Sequence, residues 1–158
     1  MFDFLKKKKL CLYAPVTGHA IDLSKVPDDI FAQKLMGNGL AFKFDGDRIY
    51  APCNGKILLI AETKHALGIR ADNGAEIMIH IGLDTVNLNG EGFQVMTSKG
   101  KNVKAGDLLI QIDRKFMDNK NINLITPMII TNTSEYQFQV INLNTDVKAN
   151  IDKVIVFE

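Results

Sequence analysis

Two histidines carry most of the chemistry that this sequence offers. His65 and His80 stand in two short apolar runs, residues 64–71 and 75–82, with Asp72-Asn73-Gly74 between them. Asn-Gly is the strongest short hairpin signal, because both residues tolerate positive φ. With Asn73 and Gly74 as a two-residue turn, Asp72 faces Ala75 and Leu67 faces His80. His65, two residues from Leu67, then shares its sheet face. The histidines become diagonal neighbours, roughly 7–8 Å apart at the backbone. Ile77, Ile79 and Ile81 collect on the opposite face as core. A three-residue loop would shift the register by one and send the histidines to opposite faces.

Two imidazoles on one face can serve three ends. One ring can attack phosphorus while the other hydrogen-bonds the phosphoryl oxygens. The pair can supply half of a zinc site. Or both are polar residues on a solvated face. The neighbours favour the first. Gly82 lets a partner come close, and its carbonyl can take the proton of one ring nitrogen and leave the other free. Thr63, two residues before His65, places a hydroxyl beside the pair. No Ser-His-Asp order, Walker loop or dinucleotide fingerprint is visible.

The elements that hold these residues read as strands. Apolar runs at 56–61, 76–81, 107–112, 128–131 and 154–157 are strand-length and separated by turn residues. This is the pattern of an all-β antiparallel sandwich or barrel. One short helix is expected over 29–36, capped by Asp28 and closed by Gly37, with a further helical turn over 115–120. Ala14-Pro15-Val16-Thr17-Gly18 recurs as Ala51-Pro52-Cys53-Asn54-Gly55, and Val103-Lys104-Ala105-Gly106-Asp107 echoes it. The repeat points to two related halves.

The 158 residues suit one domain, set at 13–158 behind a flexible lysine-rich segment, 1–12. A net charge of +1 gives no electrostatic case for nucleic acid. Cys11 and Cys53 are expected as reduced thiols. No run approaches the ~18–20 apolar residues that span a bilayer, and MFDFLKKKKL has no signal-peptide form, so a cytoplasmic location is expected. Phe2, Phe4 and Leu5 beside Lys6 to Lys9 allow a weak peripheral membrane contact. The start at Met1 favours a free protein over a domain cut from a longer permease.

The segments APVTG, VPDDIFAQKLMGNG, APCNG, TKHALGI, GAEIMIHIGLDTVNLNGEGF, VKAGD and ITPMIITN stand in the order of a known family. The chain resembles the glucose-type enzyme IIA of the bacterial phosphoenolpyruvate-dependent sugar phosphotransferase system. The resemblance implies a β-sandwich of duplicated hybrid type. It implies His80 as the phosphorylated residue, His65 as the ring that steadies the phosphoryl group, and Thr63 in the same hydrogen-bond set. It implies a docking patch mapped here onto Asp28, Ile30, Phe31, Met36, Leu67, Met78 and Asp84. The implied partners are the phosphocarrier HPr, the IIB domain of a IICB sugar permease, and regulatory targets met in the dephosphorylated state. No cofactor or metal is implied. Relatives often carry an aromatic residue where this chain has Ala61, and Gly-Asp-Gly where it has Gly37-Asn38-Gly39. A zinc hydrolase is the alternative reading. It needs a third ligand, and His19 is the only other histidine.

Overall fold

A computed structural model describes residues 10–158. The aromatic and lysine residues on which the membrane contact rests lie outside the described residues. Seven strands run up to His80: β1 Cys11–Tyr13, β2 Gly18–Asp22, β3 Asn38–Phe44, β4 Arg48–Tyr50, β5 Gly55–Ile60, β6 Ala66–Ala71 and β7 Glu76–His80. Seven follow: β8 Phe93–Val95, β9 Asn102–Val103, β10 Leu108–Ile112, β11 Ile125–Ile130, β12 Phe138–Val140, β13 Asp146–Val147 and β14 Lys153–Phe157. Helix α1, Asp29–Ala32, follows β2, and α2, Arg114–Asn119, follows β10. The fold is the expected antiparallel sandwich. An eight-stranded sheet, in the order β13-β2-β3-β11-β7-β6-β5-β9, shares one core with two three-stranded sheets, β1-β14-β12 and β4-β10-β8.

The duplication is structural. The eight-stranded order is symmetric about the β11–β7 pair. Gly18 pairs with Phe44 and Val147 on one side, and Gly55 pairs with Ala71 and Val103 on the other. The two Ala-Pro copies bond each other reciprocally: Tyr13 N–H donates to the Pro52 carbonyl and Tyr50 N–H to the Pro15 carbonyl, both at 2.9 Å. Two further pairs of segments match between the halves. Phe93-Gln94-Val95 and Phe138-Gln139-Val140 form equivalent strands, β8 and β12. Val103-Lys104-Ala105-Gly106-Asp107 is matched by Val147-Lys148-Ala149-Asn150-Ile151-Asp152, one residue longer. In each, the aspartate accepts the lysine N–H, at 2.8 and 2.7 Å.

Three boundaries differ from expectation. The domain is ordered from at least Leu10, because β1 pairs with β14 and Leu12 is fully buried. Helix α1 stops at Ala32, not Met36. Asp28 caps it by accepting the Ile30 N–H at 3.0 Å, but Lys34 turns left-handed (φ 58°) and Gly37 does not close it. Leu35 and Met36 are exposed, so no buried surface holds another turn. Strand β11 starts before Pro127, which has β3 on one side and no β7 partner on the other. Such an edge-like position tolerates a missing donor. Cys11 and Cys53 are both free, and burial pushes the Cys53 thiol up to about 12. It serves as apolar filling. Among the described residues no helix is long and apolar enough to cross a membrane.

Candidate functional site

The β6–β7 connection has three residues, not two. Ala71 N–H donates to the Ala75 carbonyl at 2.8 Å, and Gly74 N–H to the Ala71 carbonyl at 2.9 Å. Gly74 is left-handed (φ 88°). This is a tight turn followed by a glycine bulge, the usual three-residue hairpin. Ala66 therefore faces His80, and Leu67 faces Ile79. The expected Leu67–His80 pairing is wrong. Leu67 is fully buried in the core and offers no docking surface.

Strict alternation would now send the His65 ring to the core side. It does not go there, because His65 precedes the strand. Residues 62–65 form the loop between β5 and β6, closed by Ala61 N–H donating to the Ala66 carbonyl at 2.9 Å. Lys64 takes a left-handed conformation (φ 61°) within it. The loop brings the two rings edge to face, with centroids 4.8 Å apart and planes at 81°. Thr63 Oγ1 lies 2.7 Å from His65 Nδ1. The rings meet by a loop excursion, and the two-residue turn that would have placed them is absent.

His80 Nδ1 lies 2.7 Å from the Gly82 carbonyl oxygen. A carbonyl can only accept, so Nδ1 carries the proton and Nε2 keeps its lone pair in the neutral ring. Gly82 makes this possible. Its φ is 74°, and a Cβ there would lie 2.7 Å from Thr85 Cγ2 and 2.9 Å from the Asn123 carbonyl oxygen. Burial holds the His80 pKa below its ordinary 6.5, against the Gly82 hydrogen bond and the charges of Asp28 and Asp84. Burial, then the neighbouring His80, also lowers that of His65. Both rings are uncharged at neutral pH.

The outer face of the large sheet carries a second apolar cluster, Ile21, Leu23, Val26, Phe31, Ala41, Leu83 and Ile129, with Met78 and Ile125 against it. Phe31 is buried there, and its ring sits 5.0 Å from that of His80. It supports the imidazole and is not the surface contact expected. Ile30 and Met36 are exposed, at 48% and 43%, and Asp84, four residues after His80, is exposed too. Met78 and Asp28 are half-buried. Two exposed apolar residues were missed. Leu59, at 50%, pairs with Gly68 next to Met78, and Val86, at 49%, lies two residues past Asp84. Leu59 sits beside a register shift in β5, so simple alternation misjudges its side. Among the described residues, no three of His, Cys, Asp and Glu gather closely enough to hold a metal ion.

Fold and site together define a class: a duplicated β-sandwich with two facing, uncharged histidines at a half-open face. The phosphoenolpyruvate-dependent sugar phosphotransferase system EIIA 1 family matches residues 10–136, and the chain belongs to that family. The PTS system glucose-specific EIIA component of Staphylococcus aureus strain Mu50 is 43% identical over 129 residues, covering 82% of this chain and 78% of that protein. The same component of strain COL is 42% identical over the same shares. The glucose permease IIA from Mycoplasma capricolum superposes with a TM-score of 0.87 at 35% identity, covering 99% of both chains.

Proposed function

We propose that this protein is a cytoplasmic phosphoryl carrier that accepts a phosphoryl group on His80 Nε2 from phospho-HPr and passes it to a cysteine of the IIB domain of a glucose-type permease. One observation carries the reading: the Gly82 carbonyl accepts the Nδ1–H hydrogen bond, leaving Nε2 as a ready nucleophile beside a second neutral ring. As Nε2 bonds to phosphorus in line, the donor's N–P bond breaks and its electron pair returns to the donor nitrogen. No proton need leave Nδ1, and the Gly82 carbonyl supports the positive charge that the ring acquires. Thr63 Oγ1 lies 2.7 Å from His65 Nδ1; in the carrier reading the Thr63 O–H donates to Nδ1, which puts the His65 proton on Nε2 to hold a phosphoryl oxygen. Little bond-making is left to other groups, and catalysis is mostly positioning.

Docking falls to the open part of the face: Ile30, Met36, Met78, Leu59 and Val86 as apolar contacts, Asp28 and Asp84 as charges. Phe31 braces His80 from within. The names of the relatives support glucose as the sugar class. Incubation with phospho-HPr tests the reading. The wild-type chain takes up acid-labile phosphate and His80→Ala takes up none, while the variant keeps its fold. Uptake by His80→Ala would remove the assignment.

A further inference from the structure

Thr85 is fully buried, one of two polar residues in that state among the described residues. Its Oγ1–H donates to the Ile81 carbonyl at 2.6 Å. Its methyl group stands against the Gly82 α-carbon, where an added Cβ would come within 2.7 Å. A buried hydroxyl must satisfy its donor, and this one does so on the peptide that leads into Gly82.

The peptides around Gly82 are held at every other available group. Ile81 N–H donates to the His65 carbonyl at 2.7 Å. Gly82 N–H reaches Thr126 Oγ1 at 3.4 Å. Leu83 N–H donates to the Asn123 carbonyl at 2.9 Å. The Gly82 carbonyl alone is left for His80 Nδ1. Of these holds, the shortest is the Thr85 hydroxyl.

Resting on the carrier reading, we propose that Thr85 is a positioning residue for the phosphoryl transfer: its hydroxyl fixes the Ile81–Gly82 peptide so that the Gly82 carbonyl keeps His80 in the Nδ1–H form. The chemistry follows from the hydrogen bond's direction. If the carbonyl swings away, His80 is free to carry its proton on Nε2, and the lone pair that attacks phosphorus is lost from that atom. A residue that never meets substrate thus sets which nitrogen is the nucleophile.

Thr85→Val replaces the hydroxyl by a methyl group of similar size, and Thr85→Ser keeps the hydroxyl. The His80 ring nitrogens of all three proteins are followed by 15N NMR without any phosphoryl donor. The wild type and Thr85→Ser show a single Nδ1–H form at neutral pH, and Thr85→Val shows a mixture with Nε2–H. Acceptance from phospho-HPr by Thr85→Val falls between about twofold and tenfold, the range that one net hydrogen bond supplies. Thr85→Ser stays near wild type. A wild-type tautomer in Thr85→Val, whether or not its melting temperature drops, overturns the proposal. So does a mixed tautomer in Thr85→Ser, which decides the matter should Thr85→Val fail to fold. The nitrogen spectra need no transfer. If the wild type shows the Nδ1–H form but takes no phosphate, the carrier reading fails and the Thr85 contact stands.

Discussion

The two halves of the large sheet share a plan and differ on one face. In one half Gly39 of β3 faces Ile129 of β11; in the other, Ala66 of β6 faces His80 of β7. These are corresponding positions counted from the Gly18–Phe44 and Gly55–Ala71 pairs. Ile129 is buried under the Leu23–Ala32 segment with Val26 and Phe31. His80 emerges at the edge of that cover, braced by Phe31 and half-buried. The duplicated frame is therefore occupied twice, once by a core side chain and once by the half-buried His80 ring, the proposed nucleophile. One insertion after β2 covers the first half and stops at the second. The site is made by ending a cover, and the sheet itself needs no special geometry for it.

The contrast can be broken most severely at Ile129. Ile129→Ala should cost about 2–5 kcal/mol of stability, since it empties a buried cluster. Met78→Ala, its half-buried pairing partner on the open side, should cost under ~1.5 kcal/mol and weaken partner binding instead. Urea unfolding of both variants checks the first comparison. Equal losses of stability would mean that the two halves are equally covered.

A sharper version concerns the second ring, which has no counterpart in the covered half. His65→Gln keeps a donor near the phosphoryl group but changes the ring. The variant is expected to accept phosphate from phospho-HPr and pass it on poorly to IIB. Full forward transfer by His65→Gln would remove the role given to His65.

The smallest expected effect is in pH. Burial lowers both histidine pKa values, so both rings are neutral at pH 7 and charge only on the acid side of 6.5. Protonation fills the Nε2 lone pair. Acceptance should hold through neutral pH and fade as pH falls through the lowered pKa. The same acidification destabilises the fold, because the unfolded chain binds these protons first. A flat acceptance rate from pH 5 to 8 would contradict the neutral nucleophile.

The sandwich was legible because apolar runs of strand length alternate with turn residues, and because Ala-Pro copies mark both halves. The Gly82 carbonyl as proton acceptor was legible from a glycine two residues past His80. The route by which the histidines meet was not. Asn73-Gly74 suits either a two-residue turn or a bulged three-residue one, and only the closed ladder chooses. A left-handed Lys64 is invisible in a residue type that rarely adopts that conformation. Leu67 and Phe31 were misjudged for one reason: an apolar residue near a site looks the same whether it lines the surface or supports it from beneath. Thr85 escaped because a buried hydroxyl and a surface one are written with the same letter.

The central claim is that one nitrogen of one histidine carries the phosphoryl group. Chain labelled with 15N-histidine, phosphorylated by phospho-HPr and observed by NMR, tests it most directly. The account predicts phosphorus bonded to His80 Nε2, with Nδ1 still hydrogen-bonded as N–H. Phosphorus on His80 Nδ1, on His65, or on no histidine would contradict it.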